Sequence, residues 1–81
     1  MDAAARVAAR LTELAEKHGQ AMAEGFRIDL ALSQEELASW ASVSREGVSR
    51  ALRTFRERGW IATRRRGITV LDLDALRARA M

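Results

Sequence analysis

Residues 33–59 read Ser33-Gln34-Glu35-Glu36-Leu37-Ala38-Ser39-Trp40-Ala41-Ser42-Val43-Ser44-Arg45-Glu46-Gly47-Val48-Ser49-Arg50-Ala51-Leu52-Arg53-Thr54-Phe55-Arg56-Glu57-Arg58-Gly59. Two helix starts stand inside this stretch. Ser33-Gln34-Glu35-Glu36 has the form of a capping box, in which the serine oxygen takes the backbone N–H three residues on and Glu36 reaches back. Leu37, Trp40 and Ala41 follow as the apolar stripe of a short helix. Ser42 and Val43 form a tight break, and Ser44 caps the next helix. That helix is predicted over about 45–58, with Val48, Ala51, Leu52 and Phe55 inward at i, i+3, i+4, i+7, and Gly59 stops it. A short helix, a tight turn and a longer helix are the pattern of a helix-turn-helix.

The flanks fit around this pair. Upstream, residues 3–18 hold good helix formers with Val7, Leu11 and Leu14 on one face, and Gly19 ends the run. Residues 20–25 are small and polar and are predicted as a loop. Phe26, Ile28 and Leu30 then alternate with Arg27 and Asp29 as a short half-buried strand. Downstream the period falls to two: residues 60–63 and 68–71 are predicted strands. Arg64-Arg65-Arg66-Gly67 joins them as a hairpin whose glycine would supply a positive φ. Asp72 caps a last short helix through about Ala80. The fold class expected is α+β, mainly α: a winged helix-turn-helix with a three-helix core, a β-hairpin wing and a short C-terminal helix, forming one domain over residues 1–81.

Composition narrows the chemistry. The chain has no Cys, no Pro and one His, so disulfides, thiolate metal sites and cysteine nucleophiles are excluded. No apolar run approaches the length of a membrane span, and no signal-peptide pattern opens the chain. Between Arg45 and Arg66 eight arginines face only Glu46 and Glu57, a charge of +6, which leaves −3 for the rest of a chain whose net charge is +3. A basic zone on a mildly acidic body is the electrostatic footprint of a polyanion binder.

On the helix at 45–58 the face opposite the apolar stripe carries Glu46, Arg50, Arg53 and Glu57, flanked by Arg45, Ser49 and Arg56. In a helix-turn-helix the N-terminal part of that face meets base edges in the major groove. Arginine donates two hydrogen bonds to guanine O6 and N7, and glutamate accepts from the cytosine amino group, each good pair discriminating by about 1–3 kcal/mol. The plainer alternative is a solvated helix in which Arg50 pairs with Glu46 for about 0.3–0.5 kcal/mol. The arginine turn at 64–66 is suited to phosphates or a minor groove. His18 suits the C-terminal end of its helix. Trp40, Phe55 and Trp60 fall on core positions, and Asp72 and Asp74 are explained by helix capping. No nucleophile–base pair, phosphate-cradling loop or metal-ligand spacing is present, so no catalytic residue, metal or cofactor is assigned and an enzyme is not expected.

The stretch Leu32-Ser33-Gln34-Glu35-Glu36-Leu37-Ala38, followed by Val43-Ser44-Arg45-Glu46-Gly47-Val48-Ser49-Arg50-Ala51-Leu52, resembles the C-terminal DNA-binding domain of Crp/Fnr-type bacterial regulators. Arg58-Gly59-Trp60-Ile61 and Ile68-Thr69-Val70-Leu71-Asp72 resemble that family's wing. The similarity covers nearly the whole chain. It implies sequence-specific binding of double-stranded DNA in transcription regulation, with base reading by Arg45, Glu46 and Arg50. Backbone contacts are expected from Ser33, Gln34, Ser44, Ser49, Arg53, Arg64, Arg65 and Arg66. It also implies palindromic promoter sites, a homodimer in the full-length protein, RNA polymerase as a further partner and a cytoplasmic, nucleoid-associated location. The effector domain and dimerisation helix usual in the family do not fit in 81 residues, so the chain is expected to be a domain of a longer regulator or a stand-alone relative.

Three positions depart from the family pattern. Gly47 stands where Thr is common and touches phosphate. Ser42 takes a turn position often held by Gly, and Glu35 replaces a neutral residue near phosphate. Two readings from other classes compete: a winged-helix protein-interaction module, and a nonspecific DNA-associated protein. Sequence preference on duplex DNA separates them.

Overall fold

The computed structural model describes residues 2–29, 34–64 and 67–81, and of residues 34–36 and 40 the backbone alone. Leu30, the capping box at Ser33, the side chains of Gln34, Glu35, Glu36 and Trp40, and the tip residues Arg65 and Arg66 lie outside the described residues. The elements run α1 (Ala3–His18), β1 (Gln20–Met22), β2 (Gly25–Asp29), α2 (Gln34–Ala41), α3 (Arg45–Glu57), β3 (Ile61–Arg64), β4 (Gly67–Val70) and α4 (Leu73–Ala80).

Helix α1 starts because Asp2 accepts the Ala5 N–H at 2.8 Å. It buries Val7, Ala8, Leu11 and Ala15 along one face. Helix α3 buries Val48, Ala51, Leu52 and Phe55, the four positions its spacing predicts. Val7, Leu11, Val48, Phe55, Val70 and Leu76 have essentially no solvent exposure and bring α1, α3, β4 and α4 into one core. Truncating Phe55 there would cost about 3–5 kcal/mol.

The strands form one antiparallel sheet in the order β1-β2-β4-β3. Phe26 lies opposite Val70, and Ile28 opposite Ile68. Across the next ladder Val70 faces Ile61 and Ile68 faces Thr63. Phe26, Ile28, Ile68, Val70 and Ile61 therefore share the face turned to the helices, while Arg27, Asp29 and Arg64 share the other. The wing is thus continuous with β2 rather than a free hairpin.

Three expectations need correction. Residues 20–22, expected as loop, form β1, which pairs Gln20 with Arg27 and Met22 with Gly25. All three of its residues are exposed, so no buried face left an alternating pattern. The strands of the hairpin are shifted by one residue, to 61–64 and 67–70. Gly67 is a strand residue paired with Arg64 and Asp29 rather than the turn residue. What demands glycine there is close approach, because a Cβ would stand 2.7 Å from the Ile28 carbonyl oxygen.

The ends of α3 are closed by local chemistry. Its C-terminus is a Schellman turn: Gly59 has φ 75°, its N–H donates to Arg56 O at 3.0 Å, and the Trp60 N–H donates to Phe55 O at 2.9 Å. Trp60 stacks on Phe55 with centroids 5.5 Å apart, the apolar contact that accompanies such turns. The Trp60 carbonyl then accepts from Leu71 and Asp72, fixing the exit of β4 beside the end of α3. Asp72 caps α4 through the Ala75 N–H at 3.0 Å, as expected.

Candidate nucleic-acid interface

The orientation of α3 is set at its N-terminus. Ser44 accepts the Gly47 N–H on its side-chain oxygen at 2.9 Å, a cap worth about 1 kcal/mol. Before it, Ser42 has φ 59°, the only positive φ at a non-glycine residue among those described. The left-handed conformation costs an L-residue about 1–2 kcal/mol, so the turn that glycine often fills is held here by other contacts. The Val43 N–H donates to Ala38 O at 2.9 Å. Arg6 of α1 donates to the Ser42 carbonyl at 3.1 Å, bridging 36 positions of sequence. That arginine is a positioning residue for the motif which no local pattern announces.

With the turn fixed, Arg45, Glu46, Ser49, Arg50 and Arg53 are exposed on one side of α3. The side chains expected to meet base edges are therefore together and open to solvent. Ser44, also exposed, uses its hydroxyl oxygen as the helix cap. Gly47 is buried rather than outward: a Cβ there would lie 3.1 Å from the Ser44 side-chain oxygen and 3.5 Å from the Ala3 Cβ. Arg64, at the end of β3, is exposed, with a long contact of 3.5 Å to the Thr63 carbonyl. Of the other expected backbone contacts, Gln34 opens α2, and Ser33, Arg65 and Arg66 lie outside the described residues.

The electrostatics of this face differ from the rest of the surface. Arg10 and Lys17 both hold Glu13, Arg27 holds Asp29, Arg77 holds Glu16 and Asp74, and Arg79 holds Asp2. Hydrogen bonds from Lys17 and then Arg10 keep the Glu13 carboxyl below its usual range, and Arg79, with the Ala5 N–H, does the same for Asp2. Among the described residues, Arg45, Arg50, Arg53, Arg56 and Arg64 have no carboxylate within ion-pair distance. The Glu46–Arg50 pair that the spacing allowed is not formed. Arg58, counted with the basic zone, lies over the Trp60 ring at 5.5 Å instead. Among the described residues no group of three or more His, Cys, Asp or Glu could hold a metal ion, and no helix is long and apolar enough to cross a membrane.

This arrangement can be compared with known proteins. The model of the Crp-like helix-turn-helix domain matches residues 5–79. The chain belongs to the Crp-like helix-turn-helix family. A CRP-like cAMP-activated global transcriptional regulator of Mycobacterium tuberculosis (strain H37Rv) is 37% identical over 79 residues, which are 98% of this chain and 35% of that protein. The Crp-like domain thus spans about a third of the length of the curated relatives it matches. The imidazole-bound CO-dependent transcription factor CooA from Carboxydothermus hydrogenoformans superposes with a TM-score of 0.92 at 28% identity, over 99% of this chain and 37% of that one. TTHB099, a CRP-family transcriptional regulator from Thermus thermophilus, gives 0.85 at 34% identity over 99% and 40%. The Crp-like domain is a winged helix-turn-helix of the DNA-binding, transcription-regulating class, and its relatives are regulators rather than enzymes.

Proposed function

We propose that the Crp-like domain reads double-stranded DNA by laying α3 in the major groove, with Arg45, Glu46 and Arg50 on base edges. Ser33, Gln34, Ser44, Ser49 and Arg53 hold the flanking phosphates, and Arg64, Arg65 and Arg66 of the wing grip the backbone beyond them. The single observation that carries this reading is the open row of arginines on α3, with Glu46 at its N-terminal end, none of which forms an ion pair with a described residue. Arg10, Arg27, Arg77 and Arg79 are held by acids of the fold, whereas the guanidiniums of α3 stay available to an external polyanion.

The mechanism needs no reacting group. Phosphate contacts fix register without reading sequence, and the guanidinium and carboxylate groups discriminate bases. Acting in a longer protein as a two-fold homodimer, two such domains would address a palindromic promoter site with half-sites about one helical turn, or a multiple of it, apart. RNA polymerase is then the expected partner, and the nucleoid the expected location. The isolated domain should bind weakly and with strong salt dependence, because one half-site offers few contacts.

Selection of bound duplexes from a random pool, at two salt concentrations, tests this. Enrichment of one half-site supports it. Equal binding to selected and scrambled duplexes contradicts base reading and favours a nonspecific or protein-binding role.

A further inference from the structure

We propose that Arg79, on the closing helix α4, is a further DNA-contacting residue that grips a backbone phosphate seated in the hollow shared by α1, α3 and α4. The inference rests on the DNA-binding reading above and extends it to an element outside the helix-turn-helix and the wing. The hollow has a volume of about 280 Å³, and its lining includes Asp2, Ala3, Gly47, Arg50, Thr54 and Arg79. Gly47 leaves its floor low, since a side chain there would press on Ser44 and Ala3. Two guanidiniums and a hydroxyl thus border one concavity, opposed by a single carboxylate. The N-terminal end of α1, where the helix dipole favours an anion, forms another side. Because Arg50 belongs to both the reading face and this hollow, an anion seated here lies beside the base that Arg50 addresses.

The hydrogen bonding of Arg79 leaves it able to take that anion. Its NH2 nitrogen alone donates to both Asp2 oxygens, at 3.1 and 2.9 Å. Of the five N–H donors of a guanidinium, those on Nε and NH1 have no partner among the described residues. Asp2 holds the group extended over the hollow, and it does so while capping α1 through Ala5. Arg77, two positions earlier on α4, is the internal contrast. Its Nε donates to Glu16 at 3.4 Å and its NH1 to Asp74 at 3.3 Å. Glu16 lies near the end of α1 opposite Asp2. The two arginines reach opposite ends of α1, but only Arg79 borders the reading face.

The test measures binding of the 81-residue chain to its selected duplex by fluorescence anisotropy over a salt series, with thermal melts to verify folding. Arg79→Ala should weaken binding on all sequences and lower the log–log salt slope by about 0.9, the value for one phosphate contact. Arg77→Ala removes the same charge from the same helix and should leave the slope close to that of the unaltered chain. Asp2→Asn keeps the helix cap, since Asn caps as well as Asp, but releases Arg79 and should tighten binding. Equal effects of Arg79→Ala and Arg77→Ala overturn this inference alone. Should Arg79→Ala unfold, unchanged or weaker binding by Asp2→Asn overturns it as well. No duplex binding by the unaltered chain overturns both this inference and the reading beneath it.

Discussion

Arginines on two sides of this small fold face opposite circumstances. Those of α1, β2 and α4 are engaged internally: Arg10 with Glu13, Arg27 with Asp29, Arg77 with Glu16 and Asp74, and Arg6 with the Ser42 carbonyl. Those of α3 and β3, namely Arg45, Arg50, Arg53, Arg56 and Arg64, meet no carboxylate among the described residues. Residue type is the same on both sides, but Arg10 and Arg27 lie half-buried beside their acids while the arginines of α3 and β3 are all exposed. Exposed ion pairs contribute only about 0–1 kcal/mol each, so pairing is not what keeps the domain folded. Its consequence is functional: guanidiniums already neutralised on the body attract phosphate less, Arg79 with its open Nε and NH1 apart, and the attraction is concentrated on one face.

Several substitutions would break or sharpen this contrast. Arg50→Ala carries the largest expected effect, a loss of about 1–3 kcal/mol on the selected site and relaxed preference at one base position. Competition binding against a panel of single-base variants measures both. Arg64→Ala on β3 should instead weaken every sequence alike and reduce the salt slope by about 0.9, if it makes one phosphate contact. A base-specific loss there would erase the distinction between α3 and the wing.

On the paired side, acid titration should act through the body of the fold. Glu13 and Asp2 have carboxyls held below their usual range by Lys17 and Arg10, and by Arg79 and the Ala5 N–H. A depressed folded-state pKa contributes stability that is present above the unfolded value and lost as pH falls through the folded one. Thermal melts should therefore move to lower temperature on acidification below the ordinary carboxylate range. Glu13→Gln, which forfeits one of these contributions, should flatten that dependence, and an unaltered profile would count against the pairing.

The smallest effect is expected at Ser42. Glycine there relieves about 1–2 kcal/mol of left-handed strain but adds about 0.5–1 kcal/mol of unfolded-state freedom. Ser42→Gly should then raise the melting temperature slightly, with base preference unchanged.

What could be read from the sequence was what local chemistry determines. Ser44 and Asp72 announce their helices because a cap acts three residues ahead, and both make the bonds expected. The buried stripe of α3 follows from helical spacing alone, and it puts Arg45, Glu46 and Arg50 on the outside. Gln20-Ala21-Met22 could not be read as a strand, because β1 is exposed throughout and exists by pairing with β2. The need for Gly67 comes from the Ile28 carbonyl across the sheet, not from a turn. The Arg6 and Arg79 contacts span 36 and 77 positions and leave no periodic trace. For the same reason the sequence counted eight arginines in the basic zone without distinguishing Arg58, which lies over Trp60. Charge is legible in a sequence; the partner that neutralises it is a tertiary fact.

The most direct measurement compares two triple variants of equal charge change on the selected duplex: Arg45, Arg50 and Arg53 to alanine, and Arg10, Arg27 and Arg77 to alanine. Salt-dependent anisotropy is recorded for both beside the unaltered chain. The first trio should lose sequence preference and about 0.9 of the log–log salt slope for the phosphate contact of Arg53, while the second keeps preference, slope and most of its affinity. Equal losses in the two trios would mean that net charge alone governs binding, and the division between the two sides of the fold would have no functional meaning.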